Sequence, residues 1–237
     1  MKKIGRVVLL ALLLVPALAF AAFGKVEVKK EAFSIVTEGD LLGPVGYWQI
    51  TNSDTVPLEI QSVTVDWEKK GSIFGSGEVI FSDTFAAMYP PLLKPGETGY
   101  IQTFAGTYPE ENAKEVGANK LSIIWQTSYG NSIYLPVKDA QAKDGTFLDG
   151  GYKTTSLEVT IENNTAETLF DYAVVAAAYN EKGTLLFSVP SAPTIDVGIP
   201  AGGQVTVRLL AEPGVVAAVG GVDKIASIEA IAYKIVE

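Results

Sequence analysis

Residues 155–163 read Thr-Ser-Leu-Glu-Val-Thr-Ile-Glu-Asn, and their alternation decides the fold class. In an extended chain Leu157, Val159 and Ile161 point to one side, while Glu158, Thr160 and Glu162 point to the other. A helix would repeat its apolar residues about every 3.6 positions, and this stretch repeats every second one. Residues 62–67 do the same, with Val63, Val65 and Trp67 set against Ser62, Thr64 and Asp66. So do Val205, Val207 and Leu209 against Thr206 and Arg208. One wet and one dry face per strand is the pattern of antiparallel sheets packed as a sandwich. Gly, Pro, Asn and Asp between the strands favour that arrangement over a parallel α/β sheet.

Working outward, an internal repeat appears. Residues 50–72, ITNSDTVPLEIQSVTVDWEKKGS, align with residues 161–184, IENNTAETLFDYAVVAAAYNEKGT. Asn52 meets Asn163, Leu58 meets Leu169 and Val63 meets Val174; after a one-residue gap Trp67 meets Tyr179 and Gly71 meets Gly183. Further on, LKPGE (93–97) corresponds to IPAGG (199–203), and the segment from Pro109 matches that from Pro213, pairing Leu121 with Ile225. Each Asn supports a turn by bonding its own backbone, and each Gly suits a turn residue at positive φ. Thr107-x-x-Glu110 with Pro109 predicts a short helix over 109–116, with a weaker counterpart over 213–219. Residues 121–137 read as an added hairpin turning at Gly130-Asn131.

These markers resemble the FxLYD family of bacterial envelope domains, an immunoglobulin-like sandwich. The likeness is carried by Asn52, Val63, Val65, Trp67, Gly71 and Pro95-Gly96, then by Asn163, Val174, Val175, Tyr179, Gly183 and Gly202. It covers the larger part of each copy. The late-embryogenesis, water-stress type of sandwich has a similar Asn, Gly and turn pattern and is the second resemblance. Together with the alternation this gives an all-β expectation: two tandem immunoglobulin-like β-sandwich domains, each with one short helix. The expected boundaries are 25–138 and 151–237, joined by an Asp- and Gly-rich linker at 139–150. Neither resemblance brings catalytic residues with it, and fold likeness alone does not assign an activity.

Residues 1–21 read as a bacterial-type secretory signal: Lys2, Lys3 and Arg6 precede the Leu-rich run Val7–Val15, and Ala17, Ala19 and Ala21 suit cleavage. The chain is therefore expected in a periplasm, outside the cell or on its surface. The competing reading is an uncleaved anchor, since the apolar run from Val7 to Phe23 sits at the lower edge of spanning length; membrane contact is expected only in that case. Removing the signal takes three basic and no acidic residues, lowering the formal net charge from −9 to −12. Such a surface repels phosphate backbones, so nucleic acid is not an expected partner.

The chain has no His and no Cys, which removes imidazole- and thiolate-dependent catalysis, most zinc sites and iron–sulfur ligation. Of the acidic groups, Glu110-Glu111 opens the predicted helix and Glu158 and Glu162 lie on the wet face of a strand, so each has a structural explanation. No catalytic site and no cofactor are expected. Asp139, Asp144 and Asp149 in the linker suggest calcium as the alternative, although their five-residue spacing is unlike an EF-hand. Trp48, Trp67 and Trp125 fit core positions. Met88, Tyr89, Leu92 and Leu93 form an apolar loop that either contacts a partner or plugs the end of the sandwich. Asn163-Asn164-Thr165 matches the glycosylation sequon but is explained as a turn. The expected role is a non-catalytic interaction or spacer module for an envelope protein or polymer, with small-ligand or carbohydrate binding as the alternative.

Overall fold

A computed structural model describes residues 26–38, 41–70, 77–84, 87–103, 110–146, 153–191 and 195–236. They form an all-β protein with two short helices. In chain order the first copy contributes β1 (Val26–Glu38), β2 (Leu41–Asn52), β3 (Leu58–Lys69), β4 (Val79–Asp83), β5 (Ala87–Tyr89), β6 (Leu92–Leu93), β7 (Thr98–Gln102), α1 (Glu110–Glu115) and β8 (Val116–Thr127). Then follow β9 (Asn131–Leu135), β10 (Val137–Thr146), β11 (Lys153–Glu162), β12 (Ala173–Tyr179), β13 (Leu185–Pro190), β14 (Gln204–Ala211), α2 (Pro213–Ala218) and β15 (Ser227–Val236). No helix among the described residues is long and apolar enough to cross a membrane.

Four antiparallel sheets result. In the first copy β1-β2-β7-β5 faces a sheet in which β3 pairs with β4 and β6 on its path and also with β8. Between them lies a core of Trp48, Ile50, Val63, Val65, Trp67 and Ile101. In the second copy β10-β11-β14 faces β13-β12-β15-β9, over Leu157, Val159, Ile161 and Leu209. The alternation read at 155–163 is thus the inward face of β11.

The repeat is visible bond for bond. Asn52 Nδ2 donates to the carbonyls of Val56 and Leu93, both at 2.9 Å, and its Oδ1 accepts from Asp54 N at 2.9 Å. Asn163 Nδ2 donates to Glu167 and Ile199 carbonyls at 2.7 Å, and its Oδ1 accepts from Thr165 N at 2.9 Å. The backbone repeats as well: Gly96 N donates to Asn52 O and Gly202 N to Asn163 O, each at 2.8 Å. Both glycines have positive φ, 78° and 69°, which a side chain would disfavour. Each Asn is fully buried and ties the end of one strand to the turn before β7 or β14.

Three sequence expectations change. The hairpin over 121–137 does not form: β8 pairs with β3, whereas β9 pairs with β15, so the chain crosses from one copy's sheet to the other's between Thr127 and Asn131. Of the expected linker, residues up to Thr146 are strand β10, paired along its length with β11; residues 147–150 lie outside the described ones. Backbone pairing overrides the weak side-chain pattern there. The gapless match of Leu121 with Ile225 also shifts. Val63 opposes Ile123 and its counterpart Val174 opposes Ala232, which makes Ile123 the equivalent of Ala232.

Two outcomes follow. Asn52→Ala and Asn163→Ala should each cost roughly 2 kcal/mol or more in urea melts, because each strands two carbonyls that the amide served, one of them buried and the other partly buried. A fragment starting at 151 lacks β9 and β10 and should fail to show a cooperative transition, whereas one starting at 131 should retain it.

Candidate functional site

All seven residues of β12, Ala-Val-Val-Ala-Ala-Ala-Tyr, are buried. Successive residues of a strand point to opposite faces, so both faces of this sheet are covered. One faces the second copy's core. The other meets the outward face of β1-β2-β7-β5, so that a single apolar cluster contains Tyr47 and Tyr100 together with Val174, Tyr179 and Phe187. The two copies are joined by a packed seam.

The polar groups of the seam form one network. Tyr100 Oη donates to Glu229 Oε2 at 3.0 Å, which leaves the Tyr179 hydroxyl to donate to Tyr100 Oη at 2.9 Å. Gln49 Nε2 reaches the same Glu229 oxygen at 3.3 Å, and Lys30 Nζ lies 4.2 Å from the centre of the Tyr179 ring. Nearby, Tyr134 on β9 donates to Glu97 Oε2 at 2.6 Å, and Lys94 Nζ donates to the Ser132 carbonyl at 3.2 Å. Burial pushes the Tyr100 and Tyr179 hydroxyls far above the ordinary tyrosine range, and the Glu229 carboxylate adds to the rise in both. Raised in this way, these groups stay protonated donors.

At one end the seam opens into a cavity of about 420 Å³ whose lining includes Tyr47, Tyr89, Gln102, Phe187, Ser188 and Glu212. The Tyr47 and Phe187 rings meet edge-on, 6.5 Å between centres. Burial, then the Glu212 charge, holds the Tyr47 hydroxyl protonated. The Gln102 Oε1 atom is buried without a partner.

The residues singled out from sequence fall elsewhere. Met88 and Leu93 are in the first copy's core and Leu92 is buried beside them; only Tyr89, half-buried, reaches the cavity. Trp48 and Trp67 are fully buried with centres 6.5 Å apart, and Trp125 packs half-buried against the same core. Glu158 is buried against Arg208 Nε at 3.0 Å. Glu162 pairs with Lys138, whose ammonium holds that carboxyl below its ordinary range. The side chains of Glu110 and Glu111 lie outside the described residues. Asp139 and Asp144 sit five apart in β10, so they point to opposite faces and cannot close on one ion; Asp149 lies outside the described residues. Among the described residues no three His, Cys, Asp or Glu side chains cluster as metal ligands. The sequon's Asn163 side chain is spent on backbone bonds.

Of the seam residues, Tyr179 is read from sequence only as a repeat marker, and Tyr47, Gln49, Tyr100 and Glu229 are not singled out. Their signal lies in residues 172–179, an unbroken apolar run in a chain that otherwise alternates, as strands covered on both faces read. No family model matches the chain, and no curated protein matches it.

Because the folded tyrosines hold their protons above the unfolded value while the unfolded chain releases them, folding stability should fall as pH rises past about 10. Alkaline melts check this. A double-mutant cycle of Tyr100→Phe and Tyr179→Phe should return a coupling of roughly 0.5–3 kcal/mol, since one bond joins them; strict additivity would mean the network carries no shared energy.

Proposed function

We propose that this chain is an exported, non-catalytic envelope protein, periplasmic or at the cell surface, whose two sandwich-like copies act as one stiff interaction or spacer module. The observation that carries this reading is the seam. A tandem joined only by a flexible segment leaves its units free to reorient, whereas here sheet packing, the Tyr100–Tyr179–Glu229 network and the β9 crossover couple them. Support for export comes from Lys2, Lys3, Arg6 and the Ala-rich stretch that follows the apolar run. Support for a non-catalytic role comes from the lack of His and Cys and from the ion pairing of Glu158 and Glu162. The resemblance to FxLYD domains agrees with an envelope setting and rests on its motif residues alone.

The cavity at the seam favours a second reading, capture of a small ligand against the Tyr47, Tyr89 and Phe187 rings. Titration calorimetry with a panel of glycans and small metabolites tests it; heat that disappears in Tyr89→Ala supports capture, and a flat response across the panel removes it.

For the leading reading, nuclear relaxation should give one tumbling time for both copies; two independent times would remove the stiff module. Crosslinking in the producing cells, followed by fractionation, should place the chain outside the cytoplasm and attached to a partner. A lone cytoplasmic chain would overturn it.

A further inference from the structure

β8 ends its sheet. β3 flanks it on one side, and among the described residues no strand pairs with its other edge. In the second copy the equivalent edge belongs to β15, and it is occupied: β9 adds antiparallel, setting Leu135 beside Ala232. With that strand in place Ala232 is 1% exposed. Its counterpart Ile123 is only half-buried, as are the inward-facing Leu121 and Trp125, and Ile124 is 63% exposed. β8 also lacks what usually keeps an edge from pairing. Its twelve residues contain no Pro and no acidic group, and Lys120 is their one charge.

We infer that this edge receives a second copy of the chain, β8 pairing antiparallel with β8 about a two-fold axis at Ile124. The inference rests on the interaction-module reading and names its partner. The second copy already pairs this edge with a strand from its own chain, so the mode is one the fold accepts. In any other molecule of the protein β9 is engaged on β15; of the long strands that end a sheet, β1 and β10 carry several charges each, whereas β8 carries Lys120 alone. Self-pairing about Ile124 sets Ile124 against itself, Ile123 against Trp125 and Ser122 against Gln126. No like charges meet, the exposed isoleucine is covered, and both rows of edge N–H and C=O groups find partners. A two-fold contact of this kind closes on itself, so it yields dimers and not fibres.

Sedimentation of the full chain over a concentration series tests this, with Ile124→Lys, Val197→Lys and Ile124→Cys alongside. Val197 is as exposed as Ile124 and lies in the second copy, so its lysine variant controls for added surface charge. Wild type and V197K should dimerise, and I124K should raise the dimer dissociation constant roughly tenfold or more by opposing two ammonium groups across the axis. I124C, carrying the only thiol in the chain, should form a disulfide-linked dimer on mild oxidation. Circular dichroism of I124K matching wild type shows that the substitution acts on pairing. A wild type that stays monomeric, or association that I124K leaves unchanged, overturns the inference. In-cell crosslinking separates the two readings: a different partner lost in I124K removes the second copy as occupant and leaves the module standing. The absence of any crosslink removes both.

Discussion

The structure depends on keeping both faces of the β13-β12-β15-β9 sheet from water. Once Val174 and Val175 are both apolar on adjoining positions, no two-layer sandwich can bury them both, and a further layer has to be recruited. The layer recruited is the first copy's own outer face, where Tyr47 and Tyr100 stand among Gln49 and Thr51 on the side of β2 and β7 away from Trp48. Each tyrosine brings a large apolar ring and one hydroxyl. Burying the ring is favourable, but the hydroxyl needs a partner, and the Tyr179–Tyr100–Glu229 chain supplies it for the first pair. The seam is thus hydrophobic in area and polar in register, since only one sliding position satisfies those bonds.

Comparison of the two copies shows what distinguishes the face that forms the seam from its counterpart. At equivalent positions the first copy has Thr64 and Asp66 where the second has Val175 and Ala177. In the first copy these side chains face water, and Asp66 accepts a bond from Ser82 Oγ at 2.5 Å. In the second they are buried. The inward positions barely change: Val63 and Val65 become Val174 and Ala176. A small set of polar-to-apolar changes on one outward face therefore turns a wet sheet into a docking surface, without touching the core or the Asn-centred turn.

How much of this was legible follows from which residues report local and which report distant contacts. The period-2 stretches, the turn glycines Gly96, Gly183 and Gly202, and the paired Asn52 and Asn163 all act within a few residues or across one turn, and the sequence displays them openly. The strand character of 137–146 was hidden, because β10 contributes few apolar side chains and owes its form to pairing with β11. The destination of β9 was hidden more deeply. Residues 121–137 look like a hairpin, two alternating runs around Gly130-Asn131, and nothing local says that the second run leaves for another sheet. Met88, Leu92 and Leu93 read by composition as either a contact surface or a plug, and nothing local chooses between them; all three are buried, Met88 and Leu93 within the first core. The seam's own signal, a strand without alternation, was present in residues 173–179 and needs only the rule that two-faced burial erases the period.

The crossover at 128–130 has a consequence for how the two copies depend on each other. Because β9 lies in the second copy's sheet while the chain just before it ends β8 in the first, the link between copies is short and anchored at both ends by ladders. A short anchored link restricts relative motion even before the seam forms, so docking the two outer faces costs little additional conformational entropy. The seam and the crossover therefore reinforce one another: the short link holds the faces near their meeting position, and the buried tyrosines fix them there. Separating the copies would require the loss of the aromatic packing across the seam against a link of only residues 128–130, which supports the proposal of a stiff module.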